Sequence, residues 1–213
     1  MKLKDGHTAA LRIVHIDNLA VYLARGALHA PAHTPDDGLD WRSAHREDVQ
    51  QRRALKRLPG GLGTLHDFVP FYFGARSPML LQLHTGRVVG FEGSQADLVY
   101  LVTSVQDVVA AGCRFAFSDG HALSGLTRFF TDLDQLDQVD WSATAAQRWS
   151  TPDDPDLQRR KQAEFLVYRS LPWPLIRGLA ACDAHALSRV EGLLHDTAPA
   201  HRPHAAVVSK WYY

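Results

Sequence analysis

The feature that most restricts this chain is the shortness of its apolar stretches, which turn residues interrupt along the whole length. Short runs rich in β-branched and aromatic residues read as strands, and stretches of helical spacing between them predict a mixed fold. Strands are expected at residues 11–16, 68–73 (FVPFYF), 79–83 (MLLQL), 98–104 (LVYLVTS), 114–119 (RFAFSD), 164–171 (EFLVYRSL), 175–183 (LIRGLAACD) and 205–213 (AAVVSKWYY). Several lack strict alternation, as strands covered on both faces do. Asp17 or Asn18 can cap a short helix through Tyr22 and Leu23 that stops at Gly26. Further helices are expected at 43–58, 105–111 and 186–194, a loop at 30–40, and a turn at Gly60, Gly61 and Gly63. Residues 121–164 form the longest part without an obvious strand, and such segments commonly carry function.

At 213 residues the chain has room for one packed core and not for two domains with a linker. With 46% hydrophobic and 22% charged residues, a largely disordered chain is excluded. The two cysteines, Cys113 and Cys182, lack metal or redox spacing and read as buried fillers. The opening MKLKDGHTAALRIVHI holds no signal-peptide core, and no stretch of about 18 apolar residues marks a membrane span. A cytoplasmic location without a membrane partner is therefore expected. A formal net charge of zero argues against a grip on nucleic acid through phosphates alone. Basic residues still cluster, as Arg42, Arg46, Arg52, Arg53, Lys56 and Arg57 against Glu47 and Asp48, and again as Arg159, Arg160 and Lys161. Such runs are ordinarily solvated helix faces, a nucleic-acid surface being the sharper reading.

Twelve histidines invite a metal reading, which fails on spacing: there is no HExxH, and Arg202 and Pro203 divide His201 from His204. P-loop, Rossmann and hydrolase-elbow motifs are also missing. Two features remain. In QAEFLVY (162–168) an acidic residue, Glu164, opens an otherwise apolar strand, either as the partner of a nearby Arg or Lys or as a working carboxylate. In FVPFYFGARSPML (68–80) a proline inside an aromatic strand implies an edge or a bend. Arg76, Ser77 and Pro78 follow on a turn that is either structural or a site where bases stack while Arg76 and Ser77 hold phosphate.

Taken in order, RIVHIDNL (12–19), EDVQQRRALKR (47–57), GTLHDFVPFYFGARSPML (63–80), FAFSDGHAL (115–123), FFTDLDQLDQVDW (129–141), RRKQAEFLVY (159–168) and WYY (211–213) resemble the DarT family of DNA ADP-ribosyltransferase toxins. The resemblance spans nearly the whole chain, and its VPFYFxxRSPML and KQAEFLVY blocks are highly specific. It implies an α+β fold, an ADP-ribosyltransferase-like split antiparallel β-sheet with flanking helices and an NAD cleft in the centre. Residues 1–213 would be a single domain, with 121–164 as the region that selects the acceptor.

The resemblance also implies roles. Arg12, Ile13 and Val14, followed by His15, match the first-strand element whose backbone receives the nicotinamide amide, and Asn18 joins them in the NAD-binding set. Arg12 and Val14 depart from the family's common His and Thr, which puts any side-chain contact of those two in doubt. Glu164 matches the catalytic glutamate. Departure of nicotinamide develops positive charge on the ribose, and a carboxylate at the 2′-hydroxyl stabilises that state more than the ground state. Arg53 matches an arginine that contacts NAD and is held to help deprotonate the accepting base; because a guanidinium stays protonated, its chemistry favours the clamp. Met79 and His121 match positions beside the DNA base, and Arg76, Ser77 and Arg52 complete the DNA-binding set. The expected reaction transfers ADP-ribose from NAD, a co-substrate used without metal, to a thymidine base of single-stranded DNA in a short sequence context. An edge engaged in pairing is out of reach, so the base must be unpaired. The implied partners are single-stranded DNA and a DarG-type macrodomain antitoxin, with the chain itself a monomer. Two readings stay open beside this one: the same chemistry on guanine, RNA or protein, and a noncatalytic single-strand-binding module.

Overall fold

Strand β1 (Ala9–His15) is buried along its whole length in the computed structural model, which describes residues 1–213. Helix α1 (Asn18–Arg25) follows and ends where Gly26 takes a left-handed φ of 63°, a conformation that side chains resist. Asp17 stands at the cap position, but its carboxylate makes no cap bond and pairs with Arg42 at 2.8 Å. After β2 (Ala27–His29) and a loop comes α2 (Glu47–Leu55), shorter than the expected 43–58 because Arg46 and Lys56 are extended. This helix has Glu47 and Asp48 in its first turn and Arg52 and Arg53 in its last, complementing the helix dipole. The one residue it buries is Arg53.

Strand β3 (Phe68–Tyr72) leads into α3 (Pro78–His84), which corrects the expected strand at 79–83. Ser77 Oγ accepts the Leu80 N–H and Pro78 presets the first turn, so the capping chemistry of Ser-Pro overrides the apolar run that follows it. The chain continues through β4 (Leu98–Ser104), α4 (Val105–Ala110), β5 (Phe115–Ser118) and β6 (Phe129–Phe130). The region 121–164 contains, besides β6, the short helices α5 (Trp141–Ala145) and α6 (Leu157–Lys161). The expected strand at 164–171 is two, β7 (Glu164–Tyr168) and β8 (Ser170–Pro172), broken at Arg169, whose φ is 63°. Then come β9 (Ile176–Ala181), α7 (Ala184–Thr197) and β10 (His204–Val207). The strand expected to reach residue 213 stops at Val207; Tyr212 instead turns inward, its hydroxyl donating to the Ala180 carbonyl at 2.6 Å.

Eight strands form one sheet in the order β10-β9-β4-β1-β3-β7-β5-β6, and β2 pairs with β8 apart from it. The pairing is antiparallel except between β9 and β10, which run parallel, so the sheet is mixed. Both faces are covered. Alternate residues of β1 divide between them: Ala10 and Val14 pack with Tyr22 of α1 and Val190 of α7, whereas Ala9, Leu11 and Ile13 pack with Leu80 and Leu83 of α3. This accounts for the missing strict alternation in the strand sequences. Cys113 and Cys182 are half-buried rather than enclosed. No helix is long and apolar enough to cross a membrane.

Most arginines of the basic clusters are paired, Arg42 with Asp17 and Arg53 with Glu164, whereas Arg52, Lys56 and Arg57 are not. Arg46 pairs with Asp48, Arg159 with Asp119 and Asp156, and Arg160 with Asp140 and Asp154, while Lys161 is buried. The run 159–161 is therefore a structural knot and not a cationic face offered to phosphates.

Candidate active site

The sheet is split at its middle. Between β1 and β3 a single pair, Leu11 opposite Tyr72, is in register, against seven pairs between β1 and β4. Pro70 explains the split: its carbonyl faces β1 and accepts from Arg12 Nη1 at 3.0 Å, so its nitrogen, which faces the same way, has no hydrogen to extend the ladder. The proline thus makes an edge in the interior of the sheet. A cavity of about 410 Å³ opens there, a size suited to a small-molecule ligand.

On its floor lies Glu164, the first residue of β7, with 1% of its side chain exposed. Arg53 reaches it from α2 as a two-pronged pair, Nη2 to Oε2 at 2.9 Å and Nη1 to Oε1 at 3.3 Å. The Ala122 N–H donates to Oε1 at 3.0 Å, and the Glu164 N–H donates to Ser118 Oγ at 3.1 Å. Held by the guanidinium and the Ala122 N–H, with its backbone tied to Ser118, this carboxylate has one orientation. Burial disfavours the charge on Arg53, but the adjoining Glu164 outweighs it and holds the guanidinium pKa above its usual value.

His121 also lines the cavity, and burial lowers its pKa below the ordinary histidine value, with Glu164 opposing and Arg53 and Arg52 assisting. The Leu123 N–H donates to its Nδ1 at 3.2 Å, so the neutral ring carries its proton on Nε2 and presents a donor. His45 is pushed down to about 3 by burial and by the charges of Arg12 and Arg53, and is likewise neutral. Tyr72, paired with Glu164 across β3 and β7, has its phenol pKa raised by burial and by the Glu164 charge. Tyr22 and Trp41 meet edge to face at 5.2 Å and wall the opposite side.

The structure gathers some of the residues singled out in the sequence and not others. Arg12, Ile13, Arg53, Met79, His121 and Glu164 line the cavity. Val14 packs in the core, and Asn18 bonds the Arg42 backbone on both sides, at 2.8 and 2.9 Å, holding the loop that carries Trp41 and His45. His15 lines a separate cleft with Arg42 and Arg189. Ser77 is a buried helix cap, and Arg76 lies over the ring of Tyr213 at 4.5 Å; neither lines the cavity. Arg52 is exposed on α2. Tyr22, Trp41, His45 and Tyr72 are cavity residues that sequence reasoning does not single out. Tyr72 carries a signal, since it is the one hydroxyl-bearing ring in the aromatic run around Pro70, whereas nothing in the sequence separates His45 from the other histidines.

Comparison with known proteins agrees with this geometry. The family model described as "ssDNA thymidine ADP-ribosyltransferase, DarT" matches residues 11–213. A DNA ADP-ribosyl transferase of Thermus sp. (strain 2.9) is 39% identical over 206 residues, 97% of this chain and 96% of that protein. The solved structure of Thermus sp. 2.9 DarT in complex with ADP-ribosylated ssDNA superposes with a TM-score of 0.91 at 37% identity, covering 100% of this chain and 99% of the other. The same protein in complex with NAD+ gives 0.85 at 37% identity, with 100% of both chains covered.

Proposed function

The chain belongs to the DarT family of single-stranded-DNA thymidine ADP-ribosyltransferases, and from that premise we propose that Glu164 and Arg53 carry the transfer of ADP-ribose at the floor of the split sheet. NAD is the co-substrate and a base of single-stranded DNA the acceptor. In the reaction the bond between nicotinamide and ribose C1′ breaks and its electron pair leaves with the nicotinamide. The Glu164 carboxylate, at the ribose 2′-hydroxyl, offsets the positive charge left on the sugar, and a nucleophilic atom of the base forms the new bond to C1′. The base releases its proton to solvent water in that step. Arg53 stays protonated and so has no lone pair to receive that proton; its part is to orient the carboxylate and clamp the dinucleotide.

His121 sits where a base would approach Glu164, and its Nε2–H matches a carbonyl acceptor, which thymine carries on its pairing edge. Met79 supplies an adaptable apolar contact beside it. Residues 1–213 act as a single domain in which 121–164 select the acceptor, since Ala122 and His121 bind that region directly to Glu164 and the cavity. Arg76 and Arg52 contribute to DNA binding outside the cavity, the buried Ser77 does so only through the turn it caps, and Val14, His15 and Asn18 act on NAD through the walls they build. The chain works as a monomeric toxin opposed by a DarG-type macrodomain that removes the mark.

The observation that carries this reading is the buried Arg53–Glu164 pair at the base of the cavity. Purified protein and its Glu164→Ala variant, incubated with NAD and oligonucleotides differing at one base, test it by mass spectrometry. A mass gain of one ADP-ribose on thymine-containing strands, lost in the variant, is expected. Modification of guanine, RNA or protein instead would overturn the acceptor, and full activity in the variant would overturn the role of Glu164.

A further inference from the structure

Position 12 breaks the pattern of its strand. The even residues of β1 face the apolar layer under α1, where Ala10 and Val14 are fully enclosed, yet between them stands an arginine only 9% exposed. Its one hydrogen bond goes to the Pro70 carbonyl, and its buried Nε has no partner. Among the arginines lining the cavity, Arg53 is matched by Glu164 and Arg25 by Asp37, at 2.9 and 2.6 Å. Arg12 has no carboxylate at all. An enclosed charge without a counterion is strongly disfavoured unless something else supplies the counter-charge. His45, lying near both Arg12 and Arg53, is neutral and cannot supply it. Against Arg12 lies the hydroxyl of Tyr22, a residue 3% exposed, which makes no well-formed hydrogen bond and has the Arg12 guanidinium as its charged neighbour. Two enclosed and unsatisfied polar groups on one wall of a cavity mark a place for a ligand that bears negative charge and accepts hydrogen bonds.

We propose that the Arg12 side chain, assisted by the Tyr22 hydroxyl, holds the diphosphate of the dinucleotide. The proposal rests on the reading that this cavity takes NAD, and adds to it a side-chain contact at a position where the family commonly has histidine. Phosphate is the shared chemistry, and DNA is its other source. The dinucleotide is favoured because Arg12 is nine-tenths enclosed within a small cavity, whereas the phosphates of a strand need a path open at both ends.

Binding to the full chain, without DNA, is measured calorimetrically for NAD, ADP-ribose, inorganic pyrophosphate and adenosine, with wild type, Arg12→Gln and Arg12→Lys. The glutamine variant should bind NAD and ADP-ribose about 10–100-fold more weakly, the range for losing one charge-assisted contact. It should lose pyrophosphate binding, leave adenosine unchanged and flatten the salt dependence, with lysine restoring part of the affinity. Its melting temperature without ligand should not fall, because an unmatched charge has been removed, while the rise on adding NAD should shrink. An equal loss for adenosine would overturn the proposal by making Arg12 structural. Unchanged NAD and ADP-ribose affinity, with a raised KM for the oligonucleotide, would overturn it in favour of a DNA phosphate. Failure of the wild type to bind NAD would instead overturn the reading of the cavity on which the proposal stands.

Discussion

Arg53 and Glu164 stand 111 residues apart in the chain and meet as a two-pronged ion pair, 2.9 Å at its shorter contact, with 8% and 1% of their side chains exposed. Each makes the other's burial tolerable, so stability and chemistry can be separated by substitution. Glu164→Gln should lower turnover by at least about 10²–10³-fold, the loss typical when one charge-stabilising group is removed. Arg53→Met leaves the carboxylate enclosed and unmatched, and should cost roughly 3–5 kcal/mol. The double variant Arg53→Met with Glu164→Gln should be less destabilised than the sum of the singles in urea unfolding, while remaining inactive. Strict additivity would show that the pair does not form.

Gly74 lies two residues past the end of β3, and a methyl group added there would collide with the Thr144 carbonyl. Backbone cannot yield as a flexible side chain can. Gly74→Ala should therefore destabilise the protein by about 1–3 kcal/mol or more, the range for overpacking, and displace α5 from β3. An unchanged melting temperature would show that the two segments are not in contact.

Lys161 spans three segments from inside the protein. Its Nζ donates to the Ala75 carbonyl at 2.8 Å and the Thr144 carbonyl at 2.7 Å, and burial pulls its pKa down to about 8. Lys161→Met should cost about 1–3 kcal/mol for each carbonyl left unsatisfied. Because Ala75 adjoins Arg76 and Ser77, the variant should also raise the KM for oligonucleotide more than that for NAD in steady-state kinetics. A rise in the NAD value alone would contradict that placement.

Acid should unfold the protein partly through its half-buried imidazoles. His45 and His121 both have folded-state pKa values below the ordinary 6.5, chiefly through burial, so the unfolded chain binds protons that the folded one refuses. Their contribution is fully present above pH 6.5 and is lost as the pH falls, toward about 3 for His45. The slope is at most about 1.4 kcal/mol per pH unit for each histidine. Urea midpoints at pH 7.5, 6 and 5 should fall in that order, and His45→Gln should flatten the series. A midpoint independent of pH across this range would refute it.

Several elements were legible in the sequence because their causes are local. Helix α1 between Asn18 and Gly26, the glycine turn at 60–61 and the strands β3, β4 and β5 follow from caps, turn residues and apolar runs. The misreading of α3 as a strand also had a local answer in Ser77 and Pro78, whose capping signal outweighs the apolar run MLLQL. Pro70 was readable as an edge or bend, although not as an edge inside a sheet, since that depends on which strand comes to lie beside it.

By itself, the order of residues determined the mixed fold, the family and the placing of a carboxylate at the head of an apolar strand, because periodicity, capping and motif spacing are properties of neighbours along the chain. Only the tertiary structure decided that this carboxylate meets Arg53, that Arg76 stacks on Tyr213 away from the cavity, and that Arg12 is enclosed without a counterion. Charge pairing and burial depend on distances through space, and those are settled only when the sheet has closed around its split.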